Sequence, residues 1–255
     1  CRDDDLPDLV ADTGRSNADF LTNIKFPDAL AAPGPSTRAG DFGEILVADF
    51  IEYVLGYWCP RQGRYEDRDN RNVPSNGTDV IGFSFAGDEP SPDDELLVLE
   101  SKAGFRRTTK NRLQQAINDS GKDLVREAMS LSAIKQRLLK INRDDALKVG
   151  RFQNQGDKPF KRSNAAVAVL DDEVFNDMAL DESDASEHPN GDNLRLIIIK
   201  GTLMMDLVHA IDSSTGRKVP PFPLLGKMMT ARPGRWCGSR HRSLTPSWSP
   251  NSTPN

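Results

Sequence analysis

The segment "ELLVLESKAGF" (Glu95–Phe105) decides the interpretation of the chain, because it joins a buried strand to charged residues. Its first half is a run of leucine and valine that suits the interior of a sheet. The run continues without a turn into Glu100, Ser101 and Lys102. Buried charges are costly unless they pair, accept hydrogen bonds or hold a metal. We therefore expect this strand to end at a polar site.

The preceding strand supplies a second carboxylate at the same place. "TDVIGFSF" (Thr78–Phe85) is rich in β-branched and aromatic residues, and a proline-containing turn separates it from the strand of Glu100. Pairing of the two as a hairpin would bring Asp79 and Glu100 together at one edge. Side chains alternate along a strand, so Glu100 and Lys102 share a face while Ser101 points away.

The remaining elements predict an α/β fold, with a central mixed sheet flanked by helices. A helix is predicted from Asp41 to Trp58, with Asp41 as its N-cap and Glu44 completing a capping box. Helical periodicity follows Lys102 and is broken near Gly121. Two apolar segments, "NAAVAVL" (Asn164–Leu170) and "LRLIIIKGTL", are predicted strands, and a helix over "MMDLVHAID" follows the second.

Composition and domain organisation set the outer limits. We predict an N-terminal extension (1–40), one α/β domain (41–227) and an atypical, disordered tail (228–255). The formal net charge of −5 means that overall charge does not favour nucleic-acid binding, so any such role needs a local site or a partner. Three dispersed cysteines argue against a cysteine zinc site and suit a reducing cytoplasm. No apolar run is long enough for a membrane span.

The predicted site suits a hard divalent cation. Carboxylate oxygens from Asp79 and Glu100 favour Mg²⁺ or Mn²⁺ over zinc. Such an ion would polarise a phosphodiester, and Lys102 would orient the attacking water or offset negative charge on the phosphorane. Less specific roles remain open: Glu100 and Lys102 as a strand-edge ion pair, and Asp79 as a turn cap. Glu44 could serve only in helix capping.

The same residues carry a family resemblance. "TDVIGF" and "LLVLESKA", preceded by a helical "GE" and followed by "NRLQQAINDS", resemble the PD-(D/E)xK nuclease superfamily over about residues 40–125. The resemblance implies a restriction-endonuclease-like core with Asp79, Glu100 and a helical Glu44 on Mg²⁺, and Lys102 in catalysis. The superfamily's proline before the aspartate is replaced here by Thr78.

A wider segment, through "DSGKDLVREAMSLSAIKQRL", is similar to the HamA family of Hachiman anti-phage defence. This resemblance extends to about residue 210. It implies a metal-dependent DNA nuclease, an effector that acts beside a HamB-like helicase partner. The alternative is a catalytically silent interaction module that keeps the same fold.

Basic residues follow the predicted catalytic strand and are candidates for DNA binding. They are Arg106, Arg107, Lys110 and Arg112. In a nuclease they would contact phosphates, and otherwise they would form a solvated helix entrance. Gln114 and Gln115, on the helix that follows, could reach the site or remain exposed.

Overall fold

The structure is a computed structural model. It describes residues 6–61, 68, 70–74, 78–121, 124–176, 181–213 and 228–231. Most of the predicted loop between Arg61 and Gly77 lies outside these residues. Among the helices that are described, none is both long and apolar enough to cross a membrane.

A mixed β-sheet forms the centre of the fold. Its strands, in spatial and in sequence order, are β1 (Val80–Ser84), β2 (Glu95–Gly104), β3 (Lys161–Asp171), β4 (Leu194–Gly201) and the short β5 (Met228–Ala231). Strands β2, β3 and β4 run parallel, while β1 and β5 are antiparallel to their neighbours. The sheet and its flanking helices confirm the predicted α/β class.

Helices cover both faces of the sheet. They are α1 (Leu6–Val10), α2 (Asn17–Phe20), α3 (Gly34–Asp49), α4 (Arg112–Ser120), α5 (Leu124–Leu139), α6 (Arg143–Val149) and α7 (Met204–Ser213). The α3 and α7 helices share one apolar cluster with Leu97 and Leu99. On the opposite face, α4 packs on β3 and β4, and α5 and α6 pack on Leu96 and Val98.

Side chains of β2 alternate between the two faces of the sheet, and this alternation determines which helices its polar residues contact. Because Leu96 and Val98 face α5, the even positions Glu100 and Lys102 lie on the α4–α5 side. Ser101 lies on the α3 side, where an added Cβ on Gly43 would be 3.7 Å from the Ser101 hydroxyl. The prediction that Ser101 points away from its two neighbours is confirmed.

The predicted start of α3 is wrong. The helix begins at Gly34, with a proline in its first turn, so Asp41 lies mid-helix rather than at the N-cap. Its carboxylate instead accepts two hydrogen bonds from Arg68, at 2.7 and 2.8 Å. The first helical turn is held by distant contacts, among them the Thr37 hydroxyl donating to the Asn72 carbonyl at 2.8 Å.

The C-terminal end of this helix comes earlier than predicted, because α3 ends at Asp49. A π-helical turn (Phe50–Val54) follows α3, and Gly56 ends the helical path with a φ of 77°. That left-handed conformation favours glycine. The Trp58 backbone then forms an isolated antiparallel bridge with Phe83 of β1.

Two further predictions concern the later chain. The break near Gly121 is confirmed, because α4 ends at Ser120 and α5 begins at Leu124. Residues 228–231, assigned to the tail, pair with β4 as β5. The rest of the predicted tail, residues 232–255, lies outside the described part of the chain.

Candidate active site

The β1–β2 hairpin brings Asp79 to the polar end of β2. The register pairs Val80 with Leu99, so Asp79, one residue earlier, lies beside Glu100. Its Oδ2 accepts a hydrogen bond from the Ser101 backbone N–H at 2.9 Å. The hairpin prediction is confirmed, and Asp79 is anchored between Glu100 and Lys102 on the neighbouring strand.

Glu100 is a buried carboxylate in an unfavourable environment. Only 8% of the residue is exposed. Burial raises the pKa of Glu100, and the negative charge of Asp79 raises it further, while a hydrogen bond from Lys102 acts in the opposite direction. A cation between Asp79 and Glu100 would relieve the repulsion between them.

Lys102 lies between two carboxylates. Its Nζ is 2.6 Å from Glu100 Oε1 and 2.9 Å from Asp119 Oδ2. Burial alone would lower the pKa of Lys102, but the hydrogen bonds to Glu100 and Asp119 and the charges of Glu100 and Asp79 outweigh it, and the pKa is raised. The two carboxylates therefore favour the ammonium form of Lys102, which suits charge stabilisation.

Asp119 is the site residue that the sequence pattern did not predict. It lies on α4, one turn after Gln115 and just before the break at Gly121. Helix α4 buries Leu113, Ala116 and Ile117 against the sheet, which places Asp119 at the margin of that contact. Residues three positions apart are neighbours on a helix surface, so the spacing between Asp119 and the buried Ala116 was the sequence feature that could have indicated that Asp119 lies near the sheet.

A hydrogen bond from α5 holds the residue before Asp79. The Thr78 N–H donates to the Ser130 hydroxyl at 2.9 Å, and that hydroxyl donates to the Arg126 carbonyl at 2.8 Å. The start of β1 is thereby attached to α5 as well as to β2. Two elements thus fix the backbone position from which Asp79 reaches the site.

Comparison with known proteins assigns the family. A family model described as HamA matches residues 2–214, which span α1 to α7 and strands β1 to β4. The chain belongs to the HamA family. HamA membership indicates a role in Hachiman anti-phage defence. No match was found among curated proteins.

Glu44 of this HamA chain belongs to α3. Helix α3 packs on the face of the sheet opposite to Glu100 and Lys102, and Glu44 lines a cavity that it shares with Asp79. Within the described ranges, no group of three or more His, Cys, Asp or Glu residues could together hold a metal. The role of Glu44 on a metal stays a prediction.

The donor set of the HamA site nevertheless fits Mg²⁺. This ion commonly uses one or two carboxylates and keeps several waters, so Asp79 and Glu100 suffice without a third ligand. A recess of about 20 Å³ adjoins Glu100 and is lined also by Thr78, Asp119 and Arg126. That volume is enough for about one water molecule. The two neighbouring carboxylates thus supply the oxygen donors and the negative charge that a small hard cation needs, whereas Asp79 does not line the recess itself.

The basic segment divides into exposed and packed residues. Arg106, Arg107 and Lys110 are exposed after the end of β2, at the same end of the sheet as Lys102. Arg112 is half-buried: an added Cβ on Gly104 would be 3.2 Å from its Cγ, and its Nη1 donates to Gln115 Oε1 at 2.9 Å. The first three are therefore better placed to contact a ligand than Arg112.

The two glutamines after this segment contact other parts of the protein. Gln114 exchanges hydrogen bonds with the Asp184 backbone, donating to its carbonyl at 2.9 Å and accepting from its N–H at 2.7 Å. Gln115 accepts from Arg112. These contacts attach α4 to the loop before β4 and to its own first turn.

Proposed function

We propose that this HamA protein is a Mg²⁺-dependent DNA nuclease that acts in Hachiman defence with a HamB-like helicase. The supporting observation is the convergence of Asp79, Glu100 and Lys102 at one end of two neighbouring strands. A phosphodiester is anionic and repels its nucleophile until that charge is offset. This end of the sheet combines two carboxylates for a cation with a fixed ammonium.

Each residue has a defined part in the proposed reaction. Asp79 and Glu100 would hold the cation, and Glu44 would support them from α3. The bound ion would supply Lewis acidity toward the phosphodiester. Lys102, as an ammonium, would donate to a non-bridging phosphate oxygen and offset the negative charge of the phosphorane. Asp119 would hold the Lys102 ammonium in position.

The net charge supports a need for a partner. At −5 the chain has no overall attraction for DNA, and only Arg106, Arg107 and Lys110 form an exposed basic segment beside the site within the described ranges. A helicase that translocates on DNA would deliver the strand and raise its local concentration. We accordingly propose that cleavage is efficient in the complex and weak in the isolated chain.

A catalytically silent docking module is the second candidate. It is favoured by one observation: the Lys102 ammonium pairs with both Glu100 and Asp119. In that case the three residues would be an ion-pair network at the end of β2. Such a network would contribute to structure but would cleave nothing.

Plasmid cleavage distinguishes the two candidates. The protein, alone and with its co-purified helicase, is incubated with plasmid with and without Mg²⁺. Glu100→Ala and Lys102→Ala are compared with Glu89→Ala, which removes an exposed carboxylate in the turn before β2. The nuclease predicts Mg²⁺-dependent cleavage that only the first two variants lose. Equal cleavage in all variants, or none by the wild type with its helicase, would contradict it.

A further inference from the structure

A second and larger cavity lies beside Asp79. It has a volume of about 350 Å³ and lies where α3 and α5 pass the start of β1, which is the edge strand of the sheet. Thr78 and Asp79 line it, and so does Glu44. It therefore opens directly beside one carboxylate of the candidate active site. Its volume lies in the lower range of small-molecule pockets, roughly 300–1,000 Å³.

The walls of this cavity are mostly apolar. Ile45 and Ala48 contribute from α3, Val80 and Ile81 from β1, and Ile134 from α5. Four of these residues are buried, whereas Ile45 is 40% exposed and forms part of the opening. Such walls exclude water from the faces of a flat ligand. They offer few hydrogen-bond donors to a phosphate.

The cavity lining carries charged groups of both signs. Two carboxylates, Glu44 and Asp79, are matched by two guanidinium groups, Arg61 and Arg137. Arg61 is fixed, because its Nη2 lies 2.6 Å from Asp49 Oδ1 and 3.0 Å from a Glu52 oxygen. The result is a set of hydrogen-bond donors and acceptors around apolar walls, with no excess charge to attract an anion.

We propose that this cavity binds an unpaired nucleobase of the DNA strand that lies in the active site. A base has apolar faces and an edge of donors and acceptors, and it stacks on guanidinium planes as well as on apolar side chains. The inference rests on the proposed nuclease function. It favours DNA with unpaired nucleotides as the substrate, since extruding a paired base from a duplex costs the energy of its pairing and stacking.

The geometry connects this base to the scissile phosphate. The carboxylate of Asp79 is shared, because it lines the cavity and also accepts the Ser101 N–H beside Glu100. A nucleotide with its base between α3 and α5 therefore places its own phosphate at the end of β2. Arg106 and Arg107, exposed beyond that end, lie where the following phosphates would run.

DNA binding by variants with a filled cavity tests the inference without requiring cleavage. Ala133 is exposed and lines the opening from α5, so Ala133→Trp fills it with little cost to the core. Fluorescence anisotropy, with Ca²⁺ in place of Mg²⁺, measures the affinity for a single-stranded oligonucleotide and for its blunt duplex. We expect Ala133→Trp to weaken single-strand binding about tenfold, the effect of removing roughly one stacked base. Duplex binding should change less than about twofold, since its bases stay paired.

Two further variants keep the test decisive. Ile45→Trp fills the cavity from the α3 side and should have the same selective effect, while Gln136→Trp, exposed on α5 outside the cavity, should change neither affinity. Circular dichroism checks that each variant is folded. Unchanged single-strand binding in both cavity variants would overturn the inference, as would equal weakening for both DNA forms. Unchanged DNA binding combined with abolished helicase binding would assign the cavity to the partner.

The outcome of this DNA-binding test can be distinguished from the outcome of the test for nuclease activity. If the wild type binds single strands selectively through the cavity but never cleaves with Mg²⁺, base binding by the cavity is supported and the nuclease function is contradicted. If Glu100→Ala abolishes cleavage while the cavity variants bind and cleave both DNA forms normally, the nuclease function is supported and base binding by the cavity is contradicted.

Discussion

Asp79 and Ser101 are joined by a hydrogen bond of 2.9 Å from the Ser101 backbone N–H to the Asp79 carboxylate. The bond crosses between the start of β1 and the end of β2. It fixes Asp79 beside the residue pair that flanks Ser101, namely Glu100 and Lys102. Structure and proposed chemistry thus depend on the same carboxylate, and substitutions can separate the two.

Two substitutions at Asp79 should have different effects on stability. Asp79→Asn keeps an oxygen for the Ser101 N–H, so urea unfolding should show a decrease in stability below about 1 kcal/mol. Asp79→Ala leaves that N–H unpaired and should cost about 1–3 kcal/mol. Both variants should reduce plasmid cleavage by at least about a hundredfold, because they remove a proposed cation ligand. Asp93→Asn, in the exposed turn before β2, is the control, and wild-type cleavage by Asp79→Asn would refute the assignment.

Asp119 should affect cleavage through its ion pair with Lys102. Removing its charge in Asp119→Asn leaves the ammonium paired with Glu100 alone, where it competes with the cation for the same carboxylate. We expect plasmid cleavage and Mg²⁺ affinity, the latter measured by calorimetry, each to fall by about 10- to 100-fold. Asn118→Ala, one residue away on α4, should retain both. If Asp119→Asn unfolds the protein or leaves both quantities unchanged, Asp119 has no positioning role.

Glu100 should reduce the stability of the metal-free protein as pH rises. Its pKa in the folded state is raised above the ordinary value of 4.5, mainly by burial. The folded state therefore holds this proton to higher pH than the unfolded state, and stability from Glu100 is lost as pH rises through the folded-state pKa. Relative to the wild type, Glu100→Gln should gain unfolding free energy progressively as the pH rises above the ordinary pKa of 4.5. Urea unfolding with a chelator measures it, and a difference independent of pH would contradict the burial argument.

The exposed basic residues should contribute to DNA affinity through phosphates. Arg106→Ala and Arg107→Ala should weaken binding to all sequences alike and lower the salt dependence, by about one in log–log slope for each phosphate that the variant no longer neutralises. Lys158→Ala is the matched control, because Lys158 is exposed before β3, at the opposite end of the sheet. Anisotropy titrations across a salt series give the slopes. A slope unchanged in the arginine variants would mean that DNA does not cross this end of the sheet.

The strand pattern predicted much of the site because it depends on local geometry. Alternation along β2 places Glu100 and Lys102 on one face whatever packs there. The proline-containing turn makes a hairpin of β1 and β2, and the hairpin brings Asp79 to Glu100. These relationships are set within about 25 residues of chain, so the sequence pattern alone was sufficient to predict them.

The remaining features depend on distant contacts. Asp119 meets Lys102 only because α4 packs across β2 and β3, and β3 comes more than 40 residues after α4. Likewise the first turn of α3, which begins at Gly34, is tied by the Thr37 hydroxyl to Asn72, a residue 35 positions later in the chain. Local patterns carry no information about either contact.

Anomalous diffraction from crystals soaked in Mn²⁺ tests the central claim most directly, since it locates the cation without relying on turnover. We predict one strong peak between the carboxylates of Asp79 and Glu100, with Lys102 still beside Asp119, and no peak in Glu100→Gln crystals. A wild-type map without a peak at these carboxylates, or a peak that persists in Glu100→Gln, would contradict the account.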